Sequence, residues 1–85
     1  MDDDWLDGNA IAGLLVELFG RDMTTVVRAC ATCGGRHEIG AHRLYRNAGL
    51  VLRCPACDDV AMRIVLAGER RMLTLQGTWS IELPA

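Results

Sequence analysis

The chain has no lysine, and all nine of its basic residues are arginine. Genome composition accounts for that usage more readily than selection for guanidinium forks that grip phosphate or carboxylate. Aromatics are scarce, with two tryptophans, one tyrosine and one phenylalanine. A base-stacking platform for single-stranded nucleic acid asks for more. No apolar run approaches the roughly 20 residues of a membrane-spanning helix, so no membrane partner is expected. A basic leader is missing too, because the chain opens Met1-Asp2-Asp3-Asp4, the reverse of a secretory n-region. A cytoplasmic protein is therefore expected. In that reducing setting cysteine pairs hold metal more often than they form disulfides. There is also no Ser/His/Asp arrangement, no Gly-rich phosphate loop and no carboxylate pair placed for acid–base work, so no enzyme is expected.

What remains is an ordinary globular composition in 85 residues, 51% of them hydrophobic. That length gives one domain, 1–85, and a core too small to be comfortable without a staple. Charge is uneven along it. Residues 1–23 carry Asp2, Asp3, Asp4, Asp7, Glu17 and Asp22 against Arg21 alone, a balance of −5, while residues 24–85 balance at +3.

The first segment reads as a helix over about 8–19. Ile11, Leu14, Leu15, Leu18 and Phe19 fall at i, i+3, i+4, i+7 and i+8, one apolar stripe on the helical period. Asp7 or Asn9 can cap its start. Asp2, Asp3, Asp4 and Asp7 lie near the positive end of its dipole. Gly20 is placed to end it in the left-handed conformation. Gly13 weakens it slightly unless something packs there.

After residue 22 the period becomes two. Strands are expected at Thr24–Arg28, Leu44–Arg46, Leu50–Arg53 and Val60–Ala67, with a hairpin turn at Asn47-Ala48-Gly49 and another at Gly68-Glu69. From Leu73 to Leu83 every odd position is apolar or glycine. That unbroken phase predicts one long strand bent at Gly77 and stopped by Pro84. The fold class is thus α+β, an N-terminal helix packed on a small antiparallel sheet spanning about 24–83. The helix stripe is expected to cover the face carrying Leu73, Leu75 and Trp79, with Gly77 leaving room. The alternative is an exposed stripe that docks a partner.

The strongest motif is a pair of knuckles, Cys30-Ala31-Thr32-Cys33 and Cys54-Pro55-Ala56-Cys57, separated by 20 residues. Two residues between thiolates let a tight turn aim both sulfurs at one ion, and two such turns complete a tetrahedral shell. Cys30, Cys33, Cys54 and Cys57 are the expected ligands. Four thiolates suit Zn²⁺, with iron as the alternative. A shell of four sulfurs leaves no open position for water, so the ion is structural. Gly34-Gly35 supplies the positive φ after the first knuckle, and Asp58-Asp59 takes the turn role after the second. His37 follows Cys33 at a finger-like spacing but reads as a loop residue beside four cysteines. His42 reads as a strand residue without chemistry.

On these residues the chain resembles a zinc ribbon. Over nearly its full length it is similar to a family of short proteins of unknown function from high-GC bacteria. Those proteins open Leu-Asp-Gly-Asn-Ala (here Leu6 to Ala10) and carry a helix ending Phe-Gly (Phe19-Gly20). Two CxxC knuckles follow, the second CPxC, and then a closing strand (Trp79 to Leu83). The resemblance implies a ribbon fold and four ligands, and no activity. One departure is Asp58, where a ribbon usually has Gly.

Two functions follow. The first is a non-catalytic adaptor that binds another protein, consistent with the missing catalytic groups and the edges of a small sheet. The second is a nucleic-acid-binding ribbon in transcription or translation, carried by Arg28, Arg36, Arg43, Arg46, Arg53 and Arg63, with Tyr45 the only aromatic among them. The sequence favours the first and leaves the oligomeric state open.

Overall fold

Two antiparallel sheets and one short helix make up the fold, an α+β arrangement in which the computed structural model describes residues 6–46 and 49–83. Strand β1 (Leu6–Asp7) leads into a 3₁₀ turn (Gly8–Ile11) and helix α1 (Ala12–Phe19). Strands β2 (Val27–Ala29) and β3 (Arg36–Glu38) follow, then a second 3₁₀ turn (Ile39–Ala41). The rest is β4 (Arg43–Arg46), β5 (Leu50–Arg53), β6 (Val60–Ala67), β7 (Arg70–Leu75) and β8 (Thr78–Ser80). The larger sheet has the order β1-β4-β5-β6-β7 and the smaller β3-β2-β8. Among the described residues, no helix is long and apolar enough to cross a membrane.

The expected helix is a 3₁₀ turn followed by two turns of α-helix. Asp7, not Asn9, caps it, its Oδ1 accepting the Asn9 N–H at 3.1 Å. The tight first turn is pinned by its surroundings: Gly8 donates to the His42 carbonyl at 2.9 Å, and a Cβ on Gly8 would strike the Ile39 carbonyl. The other end follows expectation, with Gly20 at φ +75° and its N–H on the Val16 carbonyl. Nothing packs against Gly13, so its cost in the helix is uncompensated. Asp2, Asp3, Asp4, Asn47, Ala48 and Pro84 lie outside the described residues.

The core gathers Ile11 and Leu15 from the helical segment, Met23, Val26 and Ile39 from the connections, and Leu44, Leu52, Met62 and Ile64 from the larger sheet. Leu14, Leu18, Phe19 and Trp79 pack around it, partly buried. The stripe is therefore core, as its spacing predicts, but Leu73 and Leu75 are not its partners. One cross-strand row runs Leu44, Leu52, Met62, Leu75 and a second runs Leu50, Ile64, Leu73. Along the first row exposure is 1%, 0% and 0%, and then 41% at Leu75. Leu73 is likewise 40% exposed. The helix is two turns long, and the apolar face extends one strand beyond the core.

The long final strand is also two strands. The chain leaves the larger sheet after Leu75 and enters the smaller one at Thr78. Gly77 makes the crossing at φ +85°, where a Cβ would lie 2.7 Å from the Ala29 carbonyl oxygen and 2.9 Å from Arg28 Nε. Its missing side chain makes room for Arg28, not for the helix. The first expected strand is shorter as well: Thr24 is drawn into a turn in which its N–H and hydroxyl both donate to Asp22 Oδ1, leaving Val27–Ala29 as the strand.

Two substitutions separate the observed core from the expected one. Leu15→Ala should cost about 2–5 kcal/mol by lost burial and a cavity, whereas Leu73→Ala should cost about 1 kcal/mol or less. Denaturant unfolding of both variants measures the difference.

Candidate metal centre

The two knuckles are built alike. In the first, Gly34 donates to the Cys30 carbonyl at 3.0 Å and Cys30 donates to the Gly35 carbonyl at 2.9 Å. In the second, Asp58 donates to the Cys54 carbonyl at 2.9 Å and Cys54 donates to the Asp59 carbonyl at 2.8 Å. Each turn needs a left-handed residue after its second cysteine. Gly34 has φ +75° and Asp58 has φ +67°. Aspartate is among the few side chains that tolerate that region, so the departure from glycine changes the residue and keeps the turn. Arg53 supports it by donating to the Asp58 carbonyl at 3.0 Å. A side-chain bond from the Thr32 hydroxyl to Asp59 ties one knuckle to the other, and it is the first cause holding the Asp59 carboxyl below its usual range.

The four sulfurs of Cys30, Cys33, Cys54 and Cys57 all lie within 4.8 Å of one another. Between knuckles, Cys30 and Cys57 are 3.5 Å apart and Cys33 and Cys54 are 3.8 Å apart. A tetrahedron with metal–sulfur bonds of about 2.3 Å has edges of about 3.8 Å, so the spacing fits one four-coordinate ion. Backbone N–H groups of Thr32, Gly35 and Ala56 point at Cys30, Cys33 and Cys54, each at 3.4 Å. Cys30 and Cys54 are buried, Cys33 and Cys57 exposed.

The protein alone divides this charge unequally. The N–H groups of Cys33 and Thr32 bring the Cys30 thiol down to about 6. The Cys54 thiol is also lowered: burial opposes ionisation there, but the Cys57 and Ala56 N–H groups outweigh it. Cys57 goes the other way. The Asp59 N–H favours its thiolate, yet burial and the sulfurs of Cys30, Cys33 and Cys54 push it up to about 12. Four adjacent sulfurs cannot all ionise without a cation between them.

The remaining candidates are scattered. His37 is on β3, partly buried, and outside the four-sulfur group. His42 is not on a strand but follows the second 3₁₀ turn, fully buried. Its Nδ1 meets the Glu38 carbonyl at 2.9 Å and its Nε2 meets Arg28 Nη1 at 3.3 Å. A carbonyl only accepts, so Nδ1 carries the proton and Nε2 accepts from the guanidinium. Burial, then the Arg28 charge, lowers the His42 pKa against the pull of the Glu38 carbonyl. Arg28 is 1% exposed and its other nitrogens donate to the carbonyls of Gln76 at 2.8 Å and Val60 at 3.4 Å. It is a structural tie and leaves the basic surface. Arg43, Arg53 and Arg63 project from one face of the larger sheet, in register with Tyr45 and Val51. Arg53 lies over the Tyr45 ring at 5.6 Å. Arg46 and Arg36 are exposed elsewhere. Nothing local in the sequence marks Arg28 and His42 as a pair; only their tertiary burial does.

The tautomer is measurable. Long-range ¹H–¹⁵N spectra should show His42 as the Nδ1–H form, staying neutral to pH values below the ordinary histidine range. The protonated ring would lose its bond from Arg28. Because the folded pKa is depressed, His42 should remove stability as pH falls below about 6.5, where the unfolded histidine gains its proton first.

No curated protein and no solved structure matches this chain. A family model does match, over residues 2–85, nearly the whole length, and its description is a family of unknown function, DUF6510. With that coverage, the chain belongs to the DUF6510 family.

Proposed function

We propose that this protein is a cytoplasmic, non-catalytic adaptor, a zinc ribbon whose ion is structural and whose partner is another protein. Zinc is supported by four thiolate-forming sulfurs at tetrahedral spacing, a donor set that zinc or iron takes. A non-catalytic role is supported by the complete sulfur shell, which leaves no position for substrate or water. The observation that carries the adaptor reading is β7. Its six residues are all exposed, and it ends the order of the larger sheet. Its core-side residues Leu73 and Leu75 continue buried rows into solvent. Such an edge accepts an extended segment by strand addition. Arg70 and Arg71 begin β7, Arg63 pairs with its Thr74, and β7 has no acid of its own. The partner segment that fits is therefore acidic, with apolar residues alternating against Leu73 and Leu75.

The nucleic-acid reading has one observation in its favour, the register that sets Arg43 opposite Arg53 and Val51 opposite Arg63. Like charges on facing positions cost energy unless an anion lies between them. Against it, Arg28 is buried and one face of Tyr45 is taken by Arg53.

Elemental analysis should give one zinc per chain, and a chelator should unfold it. Structural zinc contributes on the order of 10–16 kcal/mol in finger peptides, as much as the ~5–15 kcal/mol stability of a whole domain. Metal-free protein with an unchanged near-ultraviolet spectrum would contradict this.

Capture from the native host, compared between wild type and the double variant Leu73→Glu/Leu75→Glu, tests the edge. The partner should be lost from the variant while zinc content stays. A synthetic peptide of its acidic segment should bind wild type alone. Salt separates the other reading. Binding to single-stranded nucleic acid, with a log–log salt slope of about −0.7 per phosphate contact and loss on Arg43→Ala/Arg46→Ala, would replace the adaptor. The expected result is weak attraction only.

A further inference from the structure

Arg21 occupies an unusual position. It follows the glycine that ends α1, and it reaches across to the C-terminal segment, where its Nη1 donates to the main-chain carbonyl of Glu82. Its Nε is buried and has no hydrogen-bond partner. On one side of it lies a recess of about 290 Å³, lined by Arg21, Thr25, Val27, Arg36, Ser80 and Glu82. Adjoining it is a larger recess of about 690 Å³, with Phe19, Asp22 and Leu83 among its walls. Arg21, Thr25 and Glu82 border both.

The smaller recess collects donors that the fold leaves unused. Among the described residues, the guanidinium of Arg36 and the hydroxyls of Thr25 and Ser80 make no hydrogen bond or ion pair. Glu82 meets Arg21 through its carbonyl, not its carboxylate. Two guanidinium groups and two hydroxyls thus face one small space against one carboxylate. Arg21 Nε is itself closed off from solvent, so an oxyanion would take its charge-assisted bonds from the remaining guanidinium nitrogens and the two hydroxyls. The position has structural causes: the Gly20 cap turns the chain so that Arg21 lies beside the segment after β8, and the β2–β8 pairing sets Ser80 opposite Val27.

We propose that the two adjoining recesses together bind a compact organic oxyanion, a carboxylate or phosphate monoester, with its charged end in the smaller one between Arg21 and Arg36 and its apolar body in the larger one against Phe19 and Leu83. The site is separate from the four-cysteine centre and from β7, and it stands independently of the adaptor reading.

Benzoate and phenyl phosphate, each with acetate or inorganic phosphate as the body-less control, can be titrated into the metal-loaded protein and followed by amide and guanidinium NMR shifts. Saturable shifts at Arg21, Thr25 and Ser80 are expected with at least one aromatic anion, tighter than with its control. The preferred anion distinguishes the carboxylate source from the phosphate source. Arg36 is exposed, so Arg36→Gln should leave the fold intact while weakening binding by at least about tenfold, the equivalent of about 1.4 kcal/mol. Ser80→Ala should weaken it less, and Arg63→Gln, which removes an equal charge elsewhere, should leave it unchanged. Absence of saturation with both aromatic anions, or equal weakening by Arg36→Gln and Arg63→Gln, would overturn the proposal.

Discussion

Four sulfurs held within 4.8 Å of one another make a demand that the polypeptide does not meet by itself. Backbone N–H groups draw charge onto Cys30 and Cys54, and the same crowding pushes Cys57 up to about 12. A divalent cation removes the conflict, because each thiolate then interacts with positive charge instead of with three neighbours. The consequence is architectural. The first knuckle follows β2 in the smaller sheet, and the second joins β5 to β6 in the larger. An ion at the shared tetrahedron would therefore fasten the two sheets together. In a chain this short, whose described residues put about ten in the core, that fastening would outweigh any single apolar contact.

Arg28 is the second fastening, of a different kind. Its guanidinium reaches from β2 to Val60 at the start of β6, to Gln76 at the crossing between sheets, and to His42. Burying a cation is costly unless its donors are used, and here two carbonyls and a neutral imidazole use them. His42 can serve only while it is uncharged, which is why the Glu38 carbonyl fixing its tautomer matters. Gly77 belongs to the same arrangement. A side chain there would collide with both the guanidinium and the Ala29 carbonyl. With φ at +85° as well, Gly77→Ala would meet strain and steric conflict together.

Features set by neighbouring residues were legible in the sequence. The knuckles, the Gly20 stop, the β4–β5 hairpin, β5 and β6 all follow from local spacing or turn chemistry. The helix was legible as a stripe, but its first turn is 3₁₀ because Gly8 packs against Ile39, a contact from 31 residues away. Alternation from Leu73 to Leu83 reports which residues share a face. It does not report whether that face is covered, nor that a glycine can carry the chain from one sheet to the next without breaking phase. Alternation alone therefore places Leu73 and Leu75 in the core and gives Gly77 the wrong neighbour. Arg28 and His42 were illegible for the same reason. A charged residue and a histidine read as surface until the tertiary fold closes over them. At the site itself, all four cysteines come together as their spacing predicts, whereas the contribution of Thr32 and Asp59 needs the two knuckles side by side.

Under the proposed adaptor reading, the exposed apolar residues of β6 and β7 also bear on the kind of partner. Leu66, Leu73 and Leu75 are between 40% and 56% exposed on one face of the last two strands of a sheet with an open edge. Such edges invite pairing with any extended chain, and proteins restrain them with charge. Here the restraint is arginine alone: Arg70 and Arg71 on β7, with Arg63 on the strand beside it. Two copies meeting edge to edge would bring these arginines together with no acid from either β7 to offset them. An acidic segment meets no such penalty, because its carboxylates neutralise the charge that keeps copies apart. On the proposed adaptor reading the same residues would oppose self-association and favour a partner of opposite charge, a discrimination that the apolar residues, common to both pairings, could not make.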